Sequence, residues 1–566
     1  MERKGCRVAI VGFLALALAA SWLGCRARPE GSSSSSPSAE DANALHLLFT
    51  YGSEKEEWIK EATARFNAGD HRTASGKRIQ VEAVPQGSGE LIDDLLAGAR
   101  QAHLTSPASG AFIKLGNARS RTRTGKDLIG ETRNLVLSPV VIAMWRPMAE
   151  AIGWGRQPVG WSDILALARD PGGWSSHGHP EWGAFKLGHT HPEYSNSGLI
   201  SLLAEAYAGA GKLAGLSLED LRRPQTASYV AGIESAVVHY GSSTGFFGKR
   251  MFEGGPEYLS AAVLYENMVI ESYGPQYRLP FPVVAIYPKE GTFWSDHPVG
   301  IVEREWVTPE HREAAKAYID YLLERPQQEA ALRYGFRPSA VEIPLGAPFD
   351  AAHGVDPKEP QTTLEVPPVE VIDAALQLWR ENKKRSDVTL VLDRSGSMRE
   401  EARMENAKAG AQQFVELLDG EDSFSFLAFN AQPTWVVEGA KLGEARSQVL
   451  QTLGGIFPDG GTALYDAIAV AYARKLEELR RDPGKIAAIV VLTDGEDTDS
   501  QLTLESLLRR IRAGGESRGV RVFTIGYGGS SQKDVLQSVA DATQARHYEG
   551  NPSNIRTVFR EISTFF

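Results

Sequence analysis

The sequence predicts an α/β protein with two modules, a two-lobed module followed by a doubly wound parallel sheet. Apolar strands alternate with amphipathic helices from residue 44 to the end of the chain. A Pro-rich stretch with little periodicity, 346–368, interrupts that alternation and marks a boundary between modules. With 566 residues, the chain is also too long for one hydrophobic core.

Composition and charge limit the classes of function. The chain is 42% hydrophobic and 23% charged, which is ordinary for soluble domains, and its formal net charge is -11. A broad nucleic-acid surface needs a basic excess, so no nucleic-acid partner is expected. The basic cluster at Arg119 to Arg123 lacks interleaved aromatic residues and is predicted to be a solvated loop.

The first 25 residues have the layout of an export signal. A basic start precedes the uncharged apolar run from Val8 to Gly24. Leu23-Gly24-Cys25 resembles the lipobox of bacterial lipoproteins, which implies signal cleavage and lipidation of Cys25. An uncleaved anchor is the alternative, since the run is at the lower limit for spanning a bilayer. Residues 26–43, rich in serine, are predicted to be a tether.

The first module begins with two strand-turn-helix units. LHLLFTYGS and IQVEAVPQGSG each indicate a strand closed by a polar turn, and an amphipathic helix follows both. NLVLSPVVIAMW and, much later, FPVVAIYPKEGTFW indicate a pair of return strands. Two α/β halves joined by return strands are typical of a bilobed binding protein.

Several motifs of residues 44–345 resemble the type 2 extracellular solute-binding family. They are the YGS and QGSG turns, HTHPEYSNSGL, VVHYGSSTGFF, YPKEGT and the helix ending in YGFRPS. The resemblance implies the bilobed type 2 periplasmic-binding-protein fold. It also implies one lobe from 44–134 with 280–345, and a second from 135–279.

Polar turns at predicted helix starts are the candidate solute site. Their free backbone N–H groups suit an oxyanion or another small solute. In the resembled family, equivalent turns grip the solute from both lobes, whereas simple helix capping is the alternative for each residue. The candidates are Ser53, Ser88, Ser195, Asn196, Ser197, Ser243 and Tyr265.

The second module is predicted to be a parallel sheet. A connecting arm and helix, 346–385, lead into VTLVLD, and the further strands are SFSFLAFN, KIAAIVVLTD, VRVFTIGYG and ARHYEG. Ligands of such sheets bind at the carboxyl ends of the strands.

Oxygen-bearing side chains collect at these strand ends. They follow the first strand, a Gly-rich turn and the third parallel strand, and they are Asp393, Ser395, Ser397, Thr462 and Asp494. Carboxylates and hydroxyls suit a hard cation, whereas capping of the following helices is the simpler alternative.

The same residues resemble the metal-ion-dependent adhesion site of von Willebrand factor A domains. The D-x-S-x-S run, the distant threonine and the later aspartate match position for position. The resemblance implies a Rossmann-like domain over 386–566 that holds Mg²⁺, or Mn²⁺ or Ca²⁺, with an open position for a partner's carboxylate. The acidic residues after Asp494, in GEDTD, are predicted to be a solvated loop.

Two weaker motifs also have simpler interpretations. Ser243 lies in a G-x-S-x-G pattern, but a hydrolase elbow needs a preceding strand, and the residues before it look helical. His177, His179, His189 and His191 alternate as a transition-metal site might, although surface or structural histidines are favoured.

These expectations together describe a membrane-anchored, exported protein of the bacterial envelope that is not an enzyme. Its metal site docks an acidic group of a protein partner, and its binding module holds a small solute. One alternative is a transport receptor that delivers solute to an ABC-type permease, with the second module as an accessory. Others are a solute-binding fold that has become a spacer, and a hydrolase that uses Ser243.

Overall fold

A computed structural model describes residues 44–513, 519–528 and 532–566 of the chain. Leu45 to Phe566 form one compact unit. The predicted export signal with Cys25 and the whole predicted tether, 26–43, lie outside the described residues. Within the described part, no helix combines the length and apolarity needed to cross a bilayer.

Strands and helices alternate along the chain, as the sequence predicts. The strands are β1 Ala44–Gly52, β2 Arg78–Gln86, β3 Leu104–Ser106, β4 Ile129–Asn134, β5 Val136–Trp145, β6 Leu187–Thr190, β7 Val237–Gly241, β8 Ala261–Tyr265, β9 Val283–Ile286, β10 Trp294–Ser295, β11 Pro298–Val302, β12 Arg337–Pro338, β13 Ser386–Asp393, β14 Ser423–Phe429, β15 Pro433–Lys441, β16 Ile486–Thr493, β17 Arg521–Tyr527 and β18 His547–Gly550. The helices are α1 Glu56–Ala68, α2 Ser88–Ala97, α3 Gly110–Thr124, α4 Arg146–Ala151, α5 Trp161–Arg169, α6 Asn196–Ala210, α7 Leu218–Arg222, α8 Pro224–Glu234, α9 Thr244–Tyr258, α10 Glu266–Glu271, α11 Pro309–Leu323, α12 Arg325–Arg333, α13 Val369–Asn382, α14 Arg403–Leu417, α15 Leu442–Gly454, α16 Leu464–Arg481, α17 Leu504–Ala513, α18 Lys533–Asp541 and α19 Ile555–Ser563.

The strands form three sheets. The first has the order β2-β1-β3-β11-β4, and the second has β10-β5-β8-β6-β7, with β9 and β12 also paired to β5. The third has the order β15-β14-β13-β16-β17-β18. All neighbours in the third sheet are parallel except the edge strand β15, which runs antiparallel to β14. The predicted α/β class, two lobes followed by a doubly wound sheet, is confirmed.

The return strands divide between the lobes differently from the prediction. Residues 280–345 were assigned to the first lobe, but β9 and β10 pair antiparallel with β5 of the second sheet. Only β11 joins the first sheet, between β3 and β4. The physical reason is burial, because β9 is an apolar strand with both faces covered, and it completes the equally buried β5.

The basic cluster at Arg119 to Arg123 is the end of a helix rather than the predicted loop. It forms the last turns of α3, and Gly125 ends that helix in the left-handed conformation (φ 73°). Arg119 and Arg121 pair with Asp93 and Asp127, which explains how consecutive cations are tolerated on one helix end.

The C-terminal domain packs against the second lobe. One hydrophobic core contains β5, β8 and α6 of the second lobe together with β13, α14 and α19 of the C-terminal domain. At the chain end, the Phe565 carbonyl accepts a hydrogen bond from the Tyr240 amide, and the Phe566 carbonyl accepts one from Lys383. The connecting helix α13 lies against α6, α7 and α8. The domain is therefore built onto the second lobe by continuous packing.

Candidate metal centre and solute cleft

Two neighbouring strand ends place the carboxylates of the predicted metal site. β13 ends at Asp393, and β16, which pairs with it in parallel, ends one residue before Asp494. Both carboxylates are fully buried. The Ser395 amide donates to Asp393 Oδ1 at 2.7 Å, and the Thr493 hydroxyl donates to the other oxygen. These bonds hold the Asp393 carboxylate in place from two directions.

The hydroxyls of the motif complete the cluster. Ser395 Oγ and Ser397 Oγ are 3.0 Å apart, and Ser397 donates to Asp494 Oδ1 at 2.7 Å. Adjacent ligands of an octahedral Mg²⁺ with bonds near 2.1 Å are separated by about 3 Å, so this spacing fits the ion. Ser397 Oγ and Thr462 Oγ1 both flank Gly495, within 4 Å of where a side chain would begin. The structure thus brings all five predicted residues together.

The electrostatics of the cluster favour a bound cation. Burial raises the pKa of Asp393 to about 6, and the nearby Asp494 adds to that rise, although hydrogen bonds from Thr493 and Ser395 oppose it. A carboxylate whose ionised form is penalised in this way gains from a neighbouring positive charge. A divalent ion held by these oxygens would supply that charge.

Arg403 is a part of this centre that the sequence did not reveal. As the first residue of α14, it donates to Asp494 Oδ2 at 2.8 Å, with its side chain only 10% exposed. The hydrogen bond to Asp494 raises the pKa of Arg403. The Asp494 carboxylate therefore binds a hydroxyl through one oxygen and a guanidinium through the other. No feature of the motif pointed to an arginine six residues beyond Ser397.

The acidic run after Asp494 is an irregular loop, as predicted, with Glu496 and Asp499 exposed, and two of its carboxylates also hold a neighbouring turn. Asp497 accepts from the amides of Leu464 and Tyr465 and so caps α16. Asp499 accepts from the Thr462 amide at 2.9 Å. These carboxylates hold the Thr462 turn against the strand ends, which is the capping role that the sequence analysis considered for serine and threonine.

The candidate solute residues lie at helix starts, as predicted, but all are buried. Ser53 opens a short 3-10 turn before α1, Ser88 begins α2, and Ser195 and Ser243 are the N-caps of α6 and α9. None of the seven candidates is more than 2% exposed. The lobes are therefore closed upon each other in this structure.

The cleft residues satisfy one another across the lobe boundary. Ser53 donates to Ser243 at 2.8 Å and accepts from the Gly245 amide at 3.0 Å. Asn196 accepts from Ser109 of the first lobe at 2.5 Å and donates to Tyr265 at 2.9 Å. These hydrogen bonds join residues that the sequence analysis predicts as solute ligands.

The other candidates bond within their own lobes. Ser88 accepts from the Ala108 amide at 2.9 Å inside the first lobe. Ser195 and Ser197 lie within hydrogen-bond distance of Thr244 inside the second lobe. The QGSG turn has a further role, because the Gly89 amide donates to Tyr194 O at 2.8 Å. A side chain at Gly89 would begin 2.0 Å from Glu193 O, so the close approach of the lobes requires this glycine.

A buried trio of titratable residues at this boundary was missed by sequence analysis. Lys55 Nζ lies 2.6 Å from Glu54 Oε1 and 3.1 Å from His297 Nδ1, and all three side chains are at most 3% exposed. Burial raises the pKa of Glu54, but Lys55 and His297 outweigh that effect and lower it to about 2. Burial lowers the pKa of Lys55 against the attraction of Glu54. The sequence feature that could have revealed this trio is the Glu54-Lys55 pair directly after the YGS turn, which places a cation two residues after Ser53.

The structure places the two weaker motifs, the G-x-S-x-G pattern at Ser243 and the alternating histidines, in different settings. A strand, β7, does precede Ser243, and the helix predicted there ends earlier, at Glu234. The Ser243 hydroxyl nevertheless accepts from Ser53 at the closed lobe boundary. Of the alternating histidines, His177 lies exposed on the surface while His189 is fully buried, so the structure does not join the two pairs.

Comparison with known families decides the identity of the two modules. The family model for bacterial extracellular solute-binding proteins matches residues 47–337, more than half of the chain. The chain belongs to this solute-binding family. The von Willebrand factor type A model matches residues 387–561, so the C-terminal domain of this solute-binding protein is a von Willebrand factor A domain. Since the family is extracellular, the protein is exported and its N-terminal module is a solute-binding module.

Similar proteins match one or both modules at low identity. An uncharacterized protein of Mycobacterium tuberculosis strain H37Rv is 24% identical over 519 residues, which cover 85% of this chain and 71% of that protein. A solved periplasmic thiamin binding protein has a TM-score of 0.44 at 13% identity and covers 60% of this chain and 97% of its own. A von Willebrand factor type A structure from Catenulispora acidiphila has a TM-score of 0.28 at 22% identity and covers 32% of this chain. This solute-binding protein spans 42% of that chain's length.

Proposed function

We propose that this protein is a recognition protein of the bacterial envelope rather than an enzyme. Its von Willebrand factor A domain docks an acidic group of a protein partner through Mg²⁺, with Mn²⁺ or Ca²⁺ as substitutes. The observation that carries the proposal is the cluster of Ser395, Ser397 and Asp494 oxygens, spaced 3.0 and 2.7 Å apart beside the buried Asp393.

The donor set suits docking because much of it is neutral. Hydroxyl ligands such as Ser395 and Ser397 would leave most of the ion's positive charge uncompensated. Arg403 also neutralises part of Asp494, which reduces the negative charge facing the ion. An ion held in this way attracts a carboxylate from outside. Thr462, held by Asp499, would border the same position.

The cleft supports a small, acceptor-rich solute such as an oxyanion. The starts of α2, α6 and α9 converge at the lobe boundary, and helix starts offer free N–H groups and a positive dipole end. Lys55 adds a buried cation, although Glu54 already pairs with it. Solute would enter when the lobes open and replace hydrogen bonds such as the one between Ser53 and Ser243.

Membrane attachment completes the proposal. Lipidated Cys25, followed by the serine-rich residues 26–43, would hold the two modules at a distance from the membrane surface. Replacing Cys25 with serine is expected to move the protein from the membrane fraction to the soluble fraction. A Cys25→Ser protein that still sediments with membranes would mean that Val8 to Gly24 is an uncleaved anchor.

The docking proposal is tested with the full-length protein in detergent. An array of acidic peptides is probed in Mg²⁺, in EDTA, and with the Ser395→Ala variant. Binding to free carboxylates but not to their amides, lost in EDTA and in Ser395→Ala, is expected. Equal binding in Mg²⁺ and EDTA would contradict metal-mediated docking.

A thermal-shift screen against oxyanions, amino acids and sugars tests the solute module separately. A ligand that binds only the folded state raises the melting temperature. If no small solute raises it, while Mg²⁺ does, the N-terminal module is a spacer.

A further inference from the structure

A buried cluster in the second lobe is separate from both sites described above. His189 in β6, Glu205 in α6 and Glu234 at the end of α8 each have no exposed surface. One potential ligand atom from each residue lies within 4.8 Å of the others. The cluster does not belong to the metal site of the C-terminal domain, which is built from β13, β16 and the α16 turn.

The hydrogen bonds around the cluster leave lone pairs of His189 and Glu234 facing each other. His189 Nδ1 is 2.8 Å from Thr190 O, and a carbonyl only accepts, so Nδ1 carries a proton. The Nε2 lone pair then faces Glu234 Oε1 at 3.0 Å. Two lone pairs at that distance repel unless a proton or a metal ion lies between them. Glu205 Oε2 is buried without any hydrogen-bond partner.

We propose that this cluster is a structural site for a divalent transition metal, bound by His189, Glu205 and Glu234. One imidazole and two carboxylates suit a borderline ion such as Zn²⁺ or Mn²⁺. Ligand atoms of a four-coordinate ion with bonds near 2 Å are separated by about 3.3 Å. The 3.0 Å separation between His189 and Glu234 is close to that value.

Neighbouring residues orient the three side chains through hydrogen bonds, as the residues that hydrogen-bond to metal ligands do in known metal sites. Tyr240 donates to the other Glu234 oxygen at 2.8 Å, and Ser201 donates to Glu205 Oε1 at 2.8 Å. The Thr190 carbonyl fixes the His189 ring in the same way. A metal here would connect β6, α6 and α8. The connecting helix α13 packs on α6 and on α8.

The charge balance allows a metal to replace protons. Burial lowers the pKa of His189, but Glu234 outweighs it and raises the pKa to about 9. Burial and the Glu234 charge raise the pKa of Glu205 as well. Both directions favour the protonated forms, whereas metal ligands must be deprotonated. A divalent ion bound here would therefore replace protons.

The test compares metal retention by the full-length protein and by Glu205→Gln. Both carry Asp393→Ala, which removes the other metal site from the count. Glutamine has the shape of a protonated glutamate, so Glu205→Gln should fold normally whether or not a metal binds. After loading with Zn²⁺ and dialysis, mass spectrometry should find about one equivalent in the parent and a loss of more than tenfold in Glu205→Gln.

A matched control and a second measurement keep the result decisive. Glu219→Gln, on the exposed surface of α7, should retain the metal like the parent. Calorimetry of Zn²⁺ binding should show one high-affinity site in the parent and in Glu219→Gln, and that site should be lost in Glu205→Gln. If the parent retains no more Zn²⁺ than Glu205→Gln, or calorimetry finds equal affinity in the two proteins, the cluster holds protons alone and the proposal fails.

Discussion

The Ser53 hydroxyl of the first lobe donates to the Ser243 hydroxyl of the second lobe at 2.8 Å, and both are buried. Ser53 also accepts from the Gly245 amide, so one small side chain makes two bonds across the lobe boundary. If Ser53 binds a solute, as we propose, the solute competes with direct lobe closure for the same hydroxyl.

Replacing Ser53 with alanine should destabilise the closed protein. The substitution leaves the buried Gly245 amide without its partner, which costs about 1–3 kcal/mol in the free energy of unfolding. Urea denaturation of the full-length protein, followed by circular dichroism, measures the change. Ser235→Ala, which removes an exposed hydroxyl at the end of α8, should change that free energy by less than about 0.5 kcal/mol. Equal effects of the two substitutions would argue against a bridging role for Ser53.

Acid should weaken the lobe boundary through His297 and Glu54. Burial, with the charge of Lys55, lowers the pKa of His297 to about 4, below the 6.5 of a free histidine. The unfolded state thus binds more protons between these values, and the stabilisation present above pH 6.5 is lost as pH falls toward 4. Glu54, with its pKa lowered to about 2 from 4.5, extends the loss to lower pH.

The contribution of His297 is isolated by comparing wild type with His297→Gln. Between pH 7 and pH 5, the unfolding free energy of wild type should fall by on the order of 1–2 kcal/mol more than that of the variant. Urea titrations at both pH values provide the measurement. An equal loss of unfolding free energy between pH 7 and pH 5 in the two proteins would show that His297 is protonated in the folded state at pH 5.

Removing the charge of Arg403 should strengthen Mg²⁺ binding. Its guanidinium lies on Asp494 at 2.8 Å and opposes a second cation at the same cluster. Arg403→Gln should strengthen the free energy of Mg²⁺ binding by about 1 kcal/mol, which lowers the dissociation constant roughly fivefold in calorimetric titrations. Arg399→Gln, an exposed arginine that bonds to the Pro458 carbonyl, is the matched control and should leave the constant unchanged. Weaker binding by Arg403→Gln would mean that the arginine positions Asp494 for the ion.

An ion pair connects the C-terminal domain to the first lobe as well. Arg560 of α19 donates to Asp94 of α2 at 2.9 Å, with side chains 30% and 10% exposed. A double-mutant cycle of Arg560→Gln and Asp94→Asn should give a coupling energy of about 0.5–1 kcal/mol. Repeating the cycle in 1 M salt should reduce it, because salt screens exposed pairs. A coupling energy near zero at low salt would mean that the two residues meet without stabilising the closed form.

The local character of most elements followed from the sequence, with β7 and the end of α3 as exceptions. Four of the parallel strands of the C-terminal sheet, β13, β14, β16 and β17, are buried, largely apolar runs, and such runs indicate burial on both faces without any knowledge of their partners. Asp393 and Asp494 could be placed at one sheet edge for the same reason, because parallel strands present their carboxyl ends together. The spacing D-x-S-x-S and the helix starts at Ser195 and Ser243 are likewise properties of a short stretch of chain.

Only the tertiary structure decided which distant residues meet. Nothing near β9 in the chain indicates that it pairs with β5 rather than with the first sheet, since both partners are apolar. Arg403 meets Asp494 across 91 residues, Lys55 meets His297 across 242, and His189 meets Glu234 across 45. The sequence pattern around a residue indicates whether its side chain is buried. Which distant residue that side chain contacts depends on how the helices and sheets pack. The charged clusters of this protein were therefore set by packing, and the strands and caps by local sequence.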